Sequence, residues 1–79
     1  MKNDLKELYD SLTNKELLVI MNEIKEAELT GSYPEDSAIR ALSNKASQIT
    51  KTDTASMLML TQMNVFRQAA YRWAEGFIV

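Results

Sequence analysis

The pattern that most constrains this chain lies toward its C-terminal end. Met59, Met63, Phe66, Ala70, Trp73 and Phe77 are spaced 4, 3, 4, 3 and 4 residues apart, the period of a helical heptad seam. Leu58, Val65, Ala69 and Ile78 widen the seam on one flank, and Leu60, Tyr71 and Ala74 extend it elsewhere. A helix from Thr54 to Ile78 would be ~37 Å long at the helical rise. The chain has 79 residues, and a compact domain of that size is about 30 Å across. The last helix is therefore as long as the domain that must cover it. The expected fold is all-α: one domain, residues 1–79, built as a small bundle or hairpin of three to four helices with a long C-terminal helix. Two Gly and one Pro are too few for a many-stranded β chain. At this size about 60–65% of the unfolded surface can be buried, so the core is thin.

The earlier helices are marked by their caps. Asn3 or Asp4 can cap a first helix to about Asp10, with Leu5, Leu8, Tyr9 and Leu12 on one face. Thr13-Asn14-Lys15-Glu16 is a capping box, and Leu12 before it can staple onto Leu17. The second helix carries Leu17, Ile20, Met21, Ile24 and Ala27 as a stripe, and Gly31 stops it. Pro34 suits the first turn of a third helix, with Glu35 and Asp36 at its positive end. That helix shows Ile39, Leu42, Ala46 and Ile49 and weakens over residues 50–54, where Thr52 or Asp53 caps the last helix.

Residue types exclude much chemistry. The chain has no Cys and no His, which removes disulfides, Cys/His zinc sites, thiolate nucleophiles and Ser-His or Cys-His dyads. Ser, Thr and Tyr then lack an adjacent base other than Lys or a carboxylate. No nucleophile elbow or Gly-rich phosphate loop occurs. Glu23 and Glu26 stand one turn apart, as in the divalent-metal helices of nucleotide pyrophosphohydrolases, but no second acidic pair answers them. They read as a solvated face, and neither a metal site nor a cofactor is expected. An enzyme is not expected. The longest apolar run is Leu17–Met21, too short to span a bilayer. The first residues lack the apolar stretch of a signal peptide. The expected location is cytoplasmic, with no membrane association.

Net charge is −2, without the basic footprint of a nucleic-acid binder. Residues 12–49 can be read as a helix-turn-helix pair, yet Glu35 and Asp36 stand at the end meant to enter a groove, which opposes that use. Nucleic acid is not an expected partner. Charge is uneven, however. Residues 1–33 hold seven acids and four lysines, whereas Arg40, Arg67 and Arg72 all lie in the second half. Arg40, Asn44, Ser47 and Lys51 share a face of the third helix, and Thr61, Asn64, Gln68 and Arg72 form a stripe on the fourth. Amide-plus-guanidinium surfaces suit anionic, hydrogen-bond-rich ligands such as nucleotides. Tyr33 and Tyr71 lie off the apolar seams and are free to meet a ligand. The candidate ligand-binding residues are Tyr33, Arg40, Asn44, Lys45, Thr61, Arg67 and Tyr71.

Trp73 and Phe77 are on the seam, where packing occupies them. The seam exceeds what three short helices can cover, and a large apolar patch is seldom left open on a soluble monomer. A homo-oligomer is therefore expected, with Met59, Met63, Phe66, Trp73 and Phe77 at its interface.

The segments Ala38-Ile39-Arg40-Ala41, Lys45-Ala46 with Ile49, Leu58-Met59-Leu60-Thr61 and Trp73-Ala74 together resemble the phage anti-CBASS cyclic-nucleotide sponges. The resemblance covers about the second half of the chain. It departs in three places: the stretch from Thr61 to Trp73 is longer, Ala74-Glu75 lacks the Asn that follows the Trp in that family, and the loop before Pro34 has no His. The resemblance implies a small helical oligomer that sequesters a cyclic nucleotide messenger between protomers, in the host cytoplasm if phage-encoded. The competing expectation is a protein-interaction module, an inhibitor or adaptor whose partner binds the apolar face of the last helix.

Overall fold

A computed structural model describes residues 4–76. The described residues form four helices: α1 (Asp4–Asp10), α2 (Asn14–Thr30), α3 (Ala38–Thr50) and α4 (Thr54–Ala74). The fold is a small all-α bundle, with no strand among the described residues. Its backbone measures 38 × 31 × 16 Å, with a radius of gyration of 12.4 Å. α3 and α4 form the most extensive helix pair, and both α1 and α2 rest on that hairpin.

The caps explain the boundaries. Thr13 sits in an extended conformation; its hydroxyl accepts from the Glu16 amide at 3.0 Å, and the Glu16 carboxylate accepts from the Thr13 amide at 2.8 Å. Both donors would otherwise be orphans of the first turn. Leu12 packs against the cluster that contains Leu17, as a staple requires. At the other end Gly31 takes φ 85°, and its amide reaches the Ala27 carbonyl at 2.7 Å. Glycine enters that left-handed region without a Cβ clash. Asp53, rather than Thr52, caps α4, accepting from the Ser56 amide at 2.9 Å. The α3–α4 link is short. Lys51 turns the chain with φ 58°, and the Ser47 hydroxyl donates to the Thr52 carbonyl.

α3 starts later than the sequence predicts. Pro34, Glu35 and Asp36 form a turn closed by the Ser37 amide on the Pro34 carbonyl at 3.1 Å, and Ser37 is the N-cap. Glu35 and Asp36 therefore lie outside the first turn of α3. The acid that meets that helix end comes from α2. Both carboxylate oxygens of Glu23 accept from backbone amides, one from Ala38 and one from Ile39, each at 2.8 Å. Glu23 is thus no part of a solvated face. A carboxylate on two orphan amides at a positive helix end is held by charge-assisted hydrogen bonds.

The core gathers Tyr9, Leu17, Ile20, Ile24, Ile39, Leu42, Val65 and Ala69. The stripes of α2 and α3 face it as their spacing predicts, except that Ile49 is exposed. α4 does not follow its spacing. Its buried residues are Met57, Thr61, Val65 and Ala69, a row at intervals of four, the ridge used in the commonest helix packing. Met59, Met63, Phe66, Ala70 and Trp73, the heptad seam, point away from the core and are exposed. α4 ends at Ala74, with Glu75 as its cap and Gly76 at φ 82°, so it is shorter than predicted: ~31 Å for its 21 residues. Phe77 and Ile78 lie outside the described residues.

Candidate binding surface

The candidate ligand residues divide between two clefts. The first lies between the α2–α3 loop and α4. Tyr33 follows the Gly31 cap, and Arg40 stands on the first turn of α3. The Arg40 Nε donates to the Tyr33 carbonyl at 2.9 Å, and the Tyr33 hydroxyl donates to Oε1 of Gln62 on α4 at 2.8 Å. This relay fixes the loop against both helices. Partial burial, reinforced by the negative charges of Glu23 and Glu28, pushes the Tyr33 phenol above its ordinary pKa. The phenol therefore stays a hydrogen-bond donor at neutral pH. Ile24, Ala27, Leu58 and Met59 supply apolar walls to a cleft of ≈ 410 Å³. Arg40 also borders a neighbouring recess that contains Asn44, Glu35 and Thr54. Only Nε of the Arg40 guanidinium bonds within the protein among the described residues. Its terminal nitrogens are available to an anionic group.

The second cleft, ≈ 280 Å³, lies between α1 and α4 and is lined by Lys6, Tyr9, Asn64, Arg67 and Tyr71 among others. Arg67 and Tyr71 are both exposed. Lys6 pairs with Asp10 one turn on, and that hydrogen bond together with the Asp10 charge raises the lysine pKa. The first cleft thus offers one guanidinium and one phenol ring, and the second one guanidinium and two phenol rings, each beside apolar wall.

Two expected ligand residues fall elsewhere. Thr61 is wholly buried, and the Tyr9 hydroxyl donates to its Oγ1 at 3.4 Å. It belongs to the packing of α1 on α4 and presents nothing to a ligand. Lys45 is exposed on a different face of α3 from Arg40 and Asn44. Its charge helps, as the least of several causes, to hold the Glu16 carboxyl below its usual pKa; the hydrogen bonds from the Thr13 backbone and hydroxyl do most of that.

The polar stripe on α4 also has a different use. Asn64 donates to the Tyr9 hydroxyl at 3.4 Å. Arg72 donates to Oδ1 of Asn14 at 2.9 Å and to the carbonyls of Tyr9 and Asp10 at 3.4 and 3.3 Å. With its amide oxygen turned toward Arg72, Gln68 accepts from that guanidinium at 3.1 Å and donates to Asp10 at 3.3 Å. A cation on the last carbonyls of a helix satisfies orphan acceptors. Arg72 and Gln68 therefore clamp the C-terminus of α1, while Asn64 and Gln68 also line the second cleft. Sequence reasoning missed Gln62, Lys6 and Tyr9 as cleft residues. Tyr9 carried an apolar-stripe signal only, and Gln62 and Lys6 carried none.

Between the clefts runs the outward face of α4. Met59, Met63, Phe66 and Trp73 are 66%, 53%, 47% and 73% exposed. Met59 also lines the first cleft, so the apolar row and that cleft are continuous. Among the described residues no group of acids is placed to hold a metal ion, and no helix is long and apolar enough to cross a membrane. In comparisons with known proteins, no family model, no curated protein and no solved structure matches this chain.

Proposed function

We propose that this protein is a non-catalytic binding module that works as a homo-oligomer joined through the outward face of α4, and that the assembly sequesters a small anionic ligand of the cyclic nucleotide class. One observation carries the reading: an exposed row of large apolar side chains on α4 runs between two clefts, each holding an arginine and a tyrosine. A guanidinium suits a phosphate and a phenol ring suits a base. Each cleft is open and shallow on one protomer, and a neighbour seated on the row would deepen the cleft that Met59 borders. The resemblance to phage anti-CBASS sponges points the same way, since those proteins hold their ligand between protomers.

Calorimetry of the protein against a panel of cyclic mono- and oligonucleotides tests the ligand. Binding should weaken by about 1.5–3 kcal/mol for each charge-assisted hydrogen bond lost in Arg40→Ala or Arg67→Ala. Absence of heat with every member at high protein concentration would remove the nucleotide. The same outward row favours a second reading, an inhibitor or adaptor whose polypeptide partner covers α4. A stoichiometric polypeptide co-purifying with the protein, in place of a small molecule, would favour that reading.

A further inference from the structure

α1 is held differently from the other helices. It has seven residues and buries one of them, Tyr9, whereas α2 buries three and α3 and α4 bury four each. Leu5, Leu8 and Leu12 are only partly buried against the core. A helix this short has little stability of its own in water. A row of polar side chains on α4 completes its attachment. Thr61 accepts from the Tyr9 hydroxyl, and Asn64 donates to that hydroxyl. Arg72 donates to the carbonyls of Tyr9 and Asp10, and Gln68 joins Arg72 to the Asp10 side chain.

The two helices are also opposite in charge. α1 carries Asp4, Glu7 and Asp10 against Lys6, while α4 carries Arg67 and Arg72 and no acid. The end of α1 that rests on Arg72 is its C-terminus. There the unpaired carbonyls and the negative end of the helix dipole add to the Asp10 carboxylate. α1 thus presents to Arg72 what an anionic ligand would present, oxygen acceptors on a guanidinium. The second cleft is the open margin of this contact. Asn64, Arg67, Gln68 and Tyr71 line it from α4, and Lys6, Tyr9 and Asp10 are on its α1 side. Without α1 that cleft would open onto Arg72.

We infer that α1 is an autoinhibitory strap: it opens as a unit from an intact α2–α4 core, and its acidic end competes with an anionic ligand for Arg72. This rests on the reading that the second cleft takes an anion, and adds the segment that regulates it. The core survives the opening because every residue of its buried cluster except Tyr9 comes from α2, α3 and α4. Units with few buried contacts open at a lower free energy than the whole domain unfolds.

Residue-resolved hydrogen exchange of the full chain tests both halves of the inference. The amides from Leu8 to Leu12 should exchange at least about ten-fold faster than those from Ile20 to Ile24. Arg72→Ala should quicken exchange in α1 further and leave α2 unchanged. Millimolar inorganic pyrophosphate should also quicken exchange in α1 of the unaltered protein, and should have no effect in Arg72→Ala. Ionic strength is matched with sodium chloride, because salt alone weakens exposed charge contacts. If α1 and α2 exchange at the same rate, α1 does not open separately and the strap is wrong. If α1 opens but pyrophosphate leaves its exchange unchanged or slows it, α1 does not compete with an anion and autoinhibition is wrong. Either failure leaves the first cleft and self-association standing, and nucleotide binding is read separately by the calorimetry described above.

Discussion

α4 shows two faces of one helix with opposite uses. The inward face is made of Met57, Thr61, Val65 and Ala69, three of them small or medium-sized. The outward face holds Met59, Met63, Phe66 and Trp73. A thin core needs close approach of α3 and α4, and small side chains at intervals of four allow it. The large apolar residues are left over. Their size does not earn them a place inside, and the heptad spacing that links them describes a helix meeting another chain as well as one meeting its own core. The inward face accounts for folding, and the outward face is left for the contact proposed above.

An acid placed on each face breaks this comparison most sharply. Val65→Asp puts an unpaired charge where the side chain has no solvent access, and should destabilise by about 3–5 kcal/mol, enough to unfold most of a thin-cored domain. Met63→Asp should leave the unfolding midpoint of the protomer within about 0.5 kcal/mol, as surface changes do. Urea denaturation followed by circular dichroism reads both. Equal losses at the two positions would mean that the outward face also packs within the protomer.

The next effect concerns what holds α3 against α2. Glu23→Ala removes the carboxylate that accepts from both Ala38 and Ile39 and should cost about 2–3 kcal/mol, the scale for hydrogen bonds to a charged group. Thr13→Ala should cost about 1 kcal/mol, the usual loss of an N-cap oxygen. The order of these two losses is the test, since a local cap touches one helix and Glu23 ties two together.

The smallest effect is on pH. Glu16 and Asp53 are both held below their ordinary carboxyl pKa by hydrogen bonds at helix N-termini, from Thr13 and from Ser56. A depressed folded-state pKa contributes stability above the unfolded value, lost as pH falls through the folded one. Stability should therefore decline on acidification through the carboxyl range, and Asp53→Asn should flatten part of that slope. Denaturation midpoints across acidic pH read it; a slope unchanged in Asp53→Asn would place the acid sensitivity elsewhere.

Local signals were legible in the sequence, and signals between distant residues were not. The caps at Thr13, Gly31 and Asp53 need only neighbours within four residues, and each appears where the sequence predicts. The start of α3 depends on Glu23, fifteen residues from Ala38, and no local pattern announces that partner. The facing of α4 was ambiguous because two apolar rows, one at intervals of four and one at heptad spacing, coexist on it. The polar stripe from Thr61 to Arg72 read as a ligand surface because hydroxyls, amides and guanidinium groups serve equally to clamp the end of a short helix. Arg40 and Tyr33 do meet, and Arg67 and Tyr71 line a second, separate cleft.

The chain contains a single tryptophan, on the outward face of α4 and 73% exposed in the protomer. Its emission therefore reports directly whether that face is covered. On raising the concentration from nanomolar to micromolar, the Trp73 emission maximum should move to shorter wavelength as the indole leaves water, and Phe66→Asp should abolish the shift. An emission maximum that stays at the wavelength of a solvated indole across the whole range would contradict assembly through α4.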